Sequence, residues 1–115
     1  MQRDDAYLLD IAIAARHLQS FTAGYDREAF FADAKTQAAV LYKITIMGEA
    51  AKRVSDEFRQ QHPEIAWRDV CGMRDRVVHQ YNRVNLNRVW DVASQEIPDL
   101  LRKLQPLLPR EGAQP

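Results

Sequence analysis

Apolar residues recur along the chain at helical intervals, and no stretch alternates as a strand would. Leu8, Ile11, Ala15 and Leu18 form one stripe and predict a first helix over Asp4–Phe21. Asp4 or Asp5 can cap it, and Gly24 ends it. Tyr25–Ala32 reads as a connector in which Asp26 caps a single turn that buries Phe30 or Phe31. Asp33 then caps a long second helix, Ala34–Gln60, whose stripe is Val40, Ile44, Met47, Ala51, Val54 and Phe58. That spacing suits packing at shallow crossing angles. His62-Pro63 stops it, because the residue before proline avoids the helical region. A third helix starts near Ile65–Trp67 and is expected to run on to Tyr81. Asn85 caps a fourth, from Leu86 to about Leu108, with a stripe of Val89, Ala93, Ile97, Leu100, Leu104 and Leu107. Pro98 predicts a kink or a break in it. The expected architecture is all-α: an up-and-down bundle of four main helices plus a short connecting turn. Residues 1–108 form the bundle and 109–115 a polar, frayed tail.

A chain of 115 residues makes one domain with a real core. At 46% apolar and 28% charged residues it has an ordinary globular composition. The longest apolar runs, Ile11–Ala15 and Ala38–Tyr42, are too short to span a bilayer, so no membrane partner is expected. The acidic N-terminus lacks the apolar core of a signal peptide. Cys71 is the single cysteine, which excludes an internal disulfide and fits a reducing cytoplasm.

Sixteen cations balance sixteen acids, which is not the profile of a tight non-specific nucleic-acid binder. The balance is uneven along the chain. Between Arg68 and Arg88 there are five arginines against two acids, Asp69 and Asp75. His17, His62 and His79 are scattered, with no carboxylate or thiol at ligand spacing, so no metal and no other cofactor is expected.

The chemistry concentrates in Arg74-x4-His79-x-Tyr81. On a straight helix Trp67, Val70, Met73, Val77, Val78 and Tyr81 share a broad apolar face with Arg74 in its middle. A charge there must be paired or reach a cleft. His79 falls roughly 140° away, where Asp75, four residues before it, can meet and orient its ring. One straight helix therefore does not aim Arg74 and His79 at one atom. Either the helix distorts or ends between them, or two chains pair about a two-fold axis so that both sets line one groove. Gly48 interrupts the second helix at about 1 kcal/mol against alanine and implies close approach of another helix. Glu49 beside it is either an exposed charge or the partner of an arginine inside the bundle.

Two imidazoles and two guanidinium groups without metal suit RNA cleavage. The 2′-hydroxyl attacks the adjacent phosphodiester while one imidazole takes its proton and another protonates the leaving oxygen. Arginines stabilise the charge that grows on the phosphate.

The chain resembles the HEPN superfamily, and within it the HepT-like toxins encoded beside minimal nucleotidyltransferase antitoxins. The residues that carry the likeness are Gly48-Glu49-Ala50-Ala51-Lys52-Arg53 and His62-Pro63-Glu64-Ile65-x-Trp67. They continue with Gly72-Met73-Arg74-Asp75, His79-x-Tyr81, Val89-Trp90 and Ile97-Pro98-x-Leu100. The resemblance implies a helical homodimer with two motifs in a shared cleft, acting as a metal-independent ribonuclease. It implies that Arg74 contacts phosphate and that His79 is the acid/base. Asp75 stands where the family often has Asn, and its charge either tunes His79 or repels phosphate. Tyr81 matches the tyrosine to which the nucleotidyltransferase antitoxin adds AMP. A non-catalytic, nucleotide-binding regulatory subunit is the alternative. A plain bundle in which Arg74 pairs with Glu49 is a third.

Overall fold

The structure is a computed structural model, and it describes residues 3–79 and 83–109. α1 (Arg3–Thr22) and α3 (Ala34–Arg53) form the central pair. At one end Asp4 accepts from the Ser55 N–H and Oγ at 2.9 and 2.7 Å. At the other, Tyr25 donates its hydroxyl proton to Asp33 at 2.6 Å. The two helices therefore run antiparallel. Their facing stripes are the expected ones: Leu8, Ile11, Ala15 and Leu18 against Val40, Ile44, Met47 and Ala51, all buried. Ala12 and Ala14 are buried too, because α1 also packs against the C-terminal helix.

The caps read from sequence at Gly24, Asp26, Asp33 and Asn85 are in place, but α1 starts at Arg3, so Asp4 and Asp5 lie inside its first turn and Asp4 bonds Ser55 instead of capping. Gly24 stops α1 at a φ of 79°, a left-handed conformation that costs glycine nothing. Asp26 accepts from Ala29 N–H and starts α2 (Arg27–Phe31), which buries Phe30 and leaves Phe31 exposed. Phe30 packs on Trp90 with ring centroids 5.4 Å apart. Asp33 accepts from Thr36 N–H at the start of α3. Hydrogen bonds from the Tyr25 hydroxyl, then from Thr36, hold its carboxyl down at about 2.

The second helix is shorter than expected. α3 ends at Arg53, Val54 is extended, and Ser55 caps a separate α4 (Asp56–Gln61). One side chain closes off the end of α3: Arg59 donates to Ala51 O at 2.8 Å, which also accepts from Val54 N–H, and to Val54 O at 3.1 Å. The apolar period continues across the break, since Val54 is buried and Phe58 packs against the core.

α5 (Trp67–Cys71) and α6 (Met73–Val77) replace the straight third helix, with Gly72 between them. α5 approaches α3 at Gly48, where an added Cβ would stand 3.4 Å from Cys71 O. This is the close approach that Gly48 implies.

α7 (Leu86–Asp91) is capped by Asn85, which accepts from Arg88 N–H. It runs through a π-turn, Val92–Glu96, into α8 (Ile97–Leu104), and a 3₁₀ turn, Gln105–Leu107, finishes it. Pro98 therefore neither breaks nor ends this helix. Proline lacks an N–H and collides with the carbonyl four residues back. The π-turn widens the helix there, and Ile97 N–H donates five residues back to Val92 O. Val89, Ala93, Ile97, Leu100 and Leu104 are buried as expected, and Leu107 packs on the core.

Among the described residues every regular element is helical, and the one strand-like feature is an isolated antiparallel bridge between Val78 and Val84. Among the described residues no helix is long and apolar enough to cross a membrane.

Candidate active site

The motif begins on α6, a helix of five residues. Met73 and Val77 point into the core and hold it down. Val78 is extended and bridges Val84: Asn85 N–H donates to Val77 O, and His79 N–H to Arg83 O, both at 2.8 Å. The helix therefore ends between Arg74 and His79, and His79 follows the extended Val78 and pairs through its backbone with Arg83. Of the two arrangements open from sequence, the end of the helix is present in the single chain.

Arg74 is not on a buried face. The break at Gly72 and the short span of α6 put it at the surface, with 51% of its side chain exposed. It lines a cleft of about 370 Å³ together with Thr45, Glu49, Lys52, Cys71 and Asp75. The floor is the Gly48 approach described above. Each cation in the cleft has a carboxylate on its own helix. Lys52 pairs with Glu49 at 3.6 Å, and Arg74 with Asp75 at 3.4 Å. Glu49 is exposed and its ion pair is with Lys52, so the reading of Glu49 as a buried partner of Arg74 is corrected. Asp75 turns to Arg74, because the extended backbone at Val78 removes His79 from the fourth position after it. Exposed pairs of this kind are worth at most about 1 kcal/mol, so an incoming phosphate can displace either carboxylate.

The structure brings Arg74, Asp75 and Glu49 to one cleft. His79 is exposed beyond the end of α6 but does not line that cleft. Tyr81 lies outside the described residues. Lys52 and Cys71 join the cleft without any sequence signal, since they arrive from α3 and α5 through the Gly48 contact.

Of the five arginines between 68 and 88, Arg68, Arg74, Arg83 and Arg88 are exposed. Arg76 is different. Its guanidinium forks onto Glu96 at the end of the π-turn, with contacts of 2.8 and 3.3 Å. Those hydrogen bonds to Glu96 raise the Arg76 pKa above its ordinary value. His17 is exposed on α1 and stacks on Phe21, and His62 pairs with Glu64 at 3.2 Å. Among the described residues no three His, Cys, Asp or Glu side chains group as a metal ion would need.

Comparison with known proteins assigns the chain to a class. The model of the family described as ribonuclease HepT-like covers residues 11–107, which takes in every helix from the middle of α1 to the 3₁₀ turn. The chain belongs to this HepT-like family, of the HEPN type. It is 40% identical to a Thermococcus cleftensis protein named "Probable ribonuclease HepT", over 88% of this chain and 92% of that one. A protein of Caldanaerobacter subterraneus subsp. tengcongensis named "Putative RNase" is 32% identical over 96% of this chain and 99% of its own. A Methanocaldococcus jannaschii protein, also named "Putative RNase", is 31% identical over 90% of this chain and 89% of its own. No solved structure matches the chain.

Proposed function

We propose that this member of a ribonuclease family is the toxin of a toxin–antitoxin pair: a metal-independent RNA endonuclease that works as a homodimer. In this reading a guanidinium from Arg74 holds the scissile phosphate. An imidazole from His79 takes the 2′-hydroxyl proton as the oxygen attacks phosphorus. The bond to the 5′-oxygen breaks, and that oxygen collects a proton from the partner copy's imidazole. The products are a cyclic 2′,3′-phosphate and a free 5′-hydroxyl. Arg74 stabilises the charge on the phosphoryl oxygens as it grows. AMP added to Tyr81 by a nucleotidyltransferase antitoxin puts phosphates beside the groove, and bulk and like charge then exclude RNA.

The observation that carries the reading is the end of α6 at Val77, which leaves both Arg74 and His79 exposed within one short segment. The test is an RNA cleavage assay on the purified dimer. Arg74→Ala and His79→Ala are each expected to abolish cleavage while the dimer survives, and EDTA to leave the wild type active. Cleavage retained in either variant refutes the assignment. Tyr81→Phe is expected to stay active in the presence of the antitoxin and ATP.

The neutral cleft, with each cation already paired, favours one second reading: a non-catalytic, nucleotide-binding subunit of a nucleotidyltransferase complex. It predicts a wild-type dimer that binds ATP but cuts no RNA.

A further inference from the structure

A helix as short as α6 does not hold itself together in water. Its placement comes from what its side chains grip. Met73 and Val77 set its depth in the core, but apolar contact is non-directional and leaves the helix room to roll and slide. Arg76 supplies direction. Its terminal nitrogens donate to the two Glu96 oxygens at 2.8 and 3.3 Å, and one also donates to Asp69 O at 3.3 Å. A fork on a carboxylate fixes plane as well as distance. This grip ties α6 to α5 through Asp69 and to the π-turn through Glu96.

Two details indicate that position rather than stability is what the pair provides. Arg76 and Glu96 remain 32% and 40% exposed, where ion pairs add little to folding. Arg76 Nε is buried without a partner, so the guanidinium forgoes one hydrogen bond to keep this orientation. The pair also stands apart from the reacting groups. Arg74 lines the α3 cleft, whereas Arg76 and Glu96 line a separate cavity of about 320 Å³ with Asp69, Asp99 and Lys103.

We infer that Arg76 and Glu96 are a positioning pair for RNA cleavage: they clamp α6 to the π-turn and so set where Arg74 and His79 stand against the phosphate. The inference rests on the ribonuclease reading above. Neither residue touches RNA. The pair acts through the backbone of α6, and displacement of a reacting group by about 1 Å can cost a hundredfold in rate.

The test uses the full-length dimer with Glu96→Gln, which keeps shape and removes charge, and Arg76→Lys, which keeps charge and removes the fork. Three quantities are measured: thermal unfolding, kcat and KM for RNA cleavage, and amide hydrogen exchange at Val78 and His79. Those two N–H groups donate to Arg74 O and Arg83 O, so they report the end of α6 directly. Both variants are expected to melt within about 4 °C of wild type. Exchange at Val78 and His79 is expected to quicken. kcat should fall roughly tenfold or more with KM held within about twofold. The swapped double variant, Arg76→Glu with Glu96→Arg, should recover part of kcat. An unchanged kcat, or a loss of kcat that follows only the unfolded fraction, overturns the proposal. Unchanged exchange with normal wild-type cleavage sinks the clamp and spares the ribonuclease. Faster exchange in a protein whose wild type cuts no RNA sinks the ribonuclease and leaves only a clamp without a reaction.

Discussion

Arg74 reaches the surface with its guanidinium already leaning on Asp75, and in the proposed reaction that neighbour decides how readily it takes a phosphate. A carboxylate beside the binding cation competes with the phosphate and repels it. Asp75→Asn keeps the polar shape and removes the charge. It is expected to lower KM for RNA severalfold with little change in kcat, as steady-state cleavage at low salt would measure. A raised KM would mean that Asp75 aids binding. Arg74→Lys keeps the charge but loses the planar fork, so kcat/KM should fall by at least about tenfold. The candidate residues of this site are legible in the sequence, because Arg-x4-His-x-Tyr is a local pattern. Its geometry is not. The apolar period of residues 67–81 passes smoothly over Gly72, and only a backbone bridge to Val84, which that period does not carry, takes Val78 out of the helix. A straight helix placed Arg74 among valines, whereas the real one exposes it. Lys52, Cys71 and Glu96 were hidden for the same reason, since each comes to its place through contacts far apart in sequence.

Element boundaries in this fold are decided by single capping groups, and these give sharp expectations. Ser55→Ala removes the cap of α4 and one of the two donors to Asp4, and should cost about 1 kcal/mol in urea unfolding. Phe30→Ala empties a fully buried site between α2 and α7, and should cost about 3–5 kcal/mol. Asp33 adds a dependence on pH. Its carboxyl is held at about 2 in the folded chain against an ordinary value of 3.8. A depressed carboxyl contributes stability that is complete above the unfolded value and is lost as pH falls through the folded one. The stability gap between wild type and Asp33→Asn should therefore be full at pH 5 and above, and shrink between about pH 4 and 2. A gap that stays constant over that range would show that the carboxylate charge adds nothing. Starts of helices were legible because Asp26, Asp33 and Asn85 act on the residues that follow them. Interruptions were not. The end of α3 needs Arg59 and Asp4, and the π-turn keeps the buried stripe intact while it makes room for Pro98.

For the whole molecule, the question is whether one copy suffices. A single chain brings Arg74 to the α3 cleft, and His79 is not among the residues that line it. A second copy can supply what is missing if it seats beside that cleft. The flank of α3 suits such contact: Tyr42 is 63% exposed one turn before Thr45, and Leu41 shares a shallow cavity with Val84 and Leu86. Tyr42→Glu puts a charge on this flank and should weaken the proposed dimer, so that specific cleavage activity falls on dilution where the wild type holds. The sharper experiment mixes two inert proteins. In an Arg74→Ala homodimer the groove has imidazoles and no motif guanidinium; in a His79→Ala homodimer it has guanidinium groups and no motif imidazole. A mixed dimer restores one guanidinium and one of the two imidazoles, so cleavage should return in part on mixing, roughly a hundredfold or more below wild type because the leaving oxygen lacks its acid, and remain absent from either protein alone. Exchange of subunits must first be verified by mass, because dimers that never trade partners would look like failure. If mixed dimers form and stay inert, then one copy's pair does not complete the other's. The two chains would then cleave as independent units that merely share an interface.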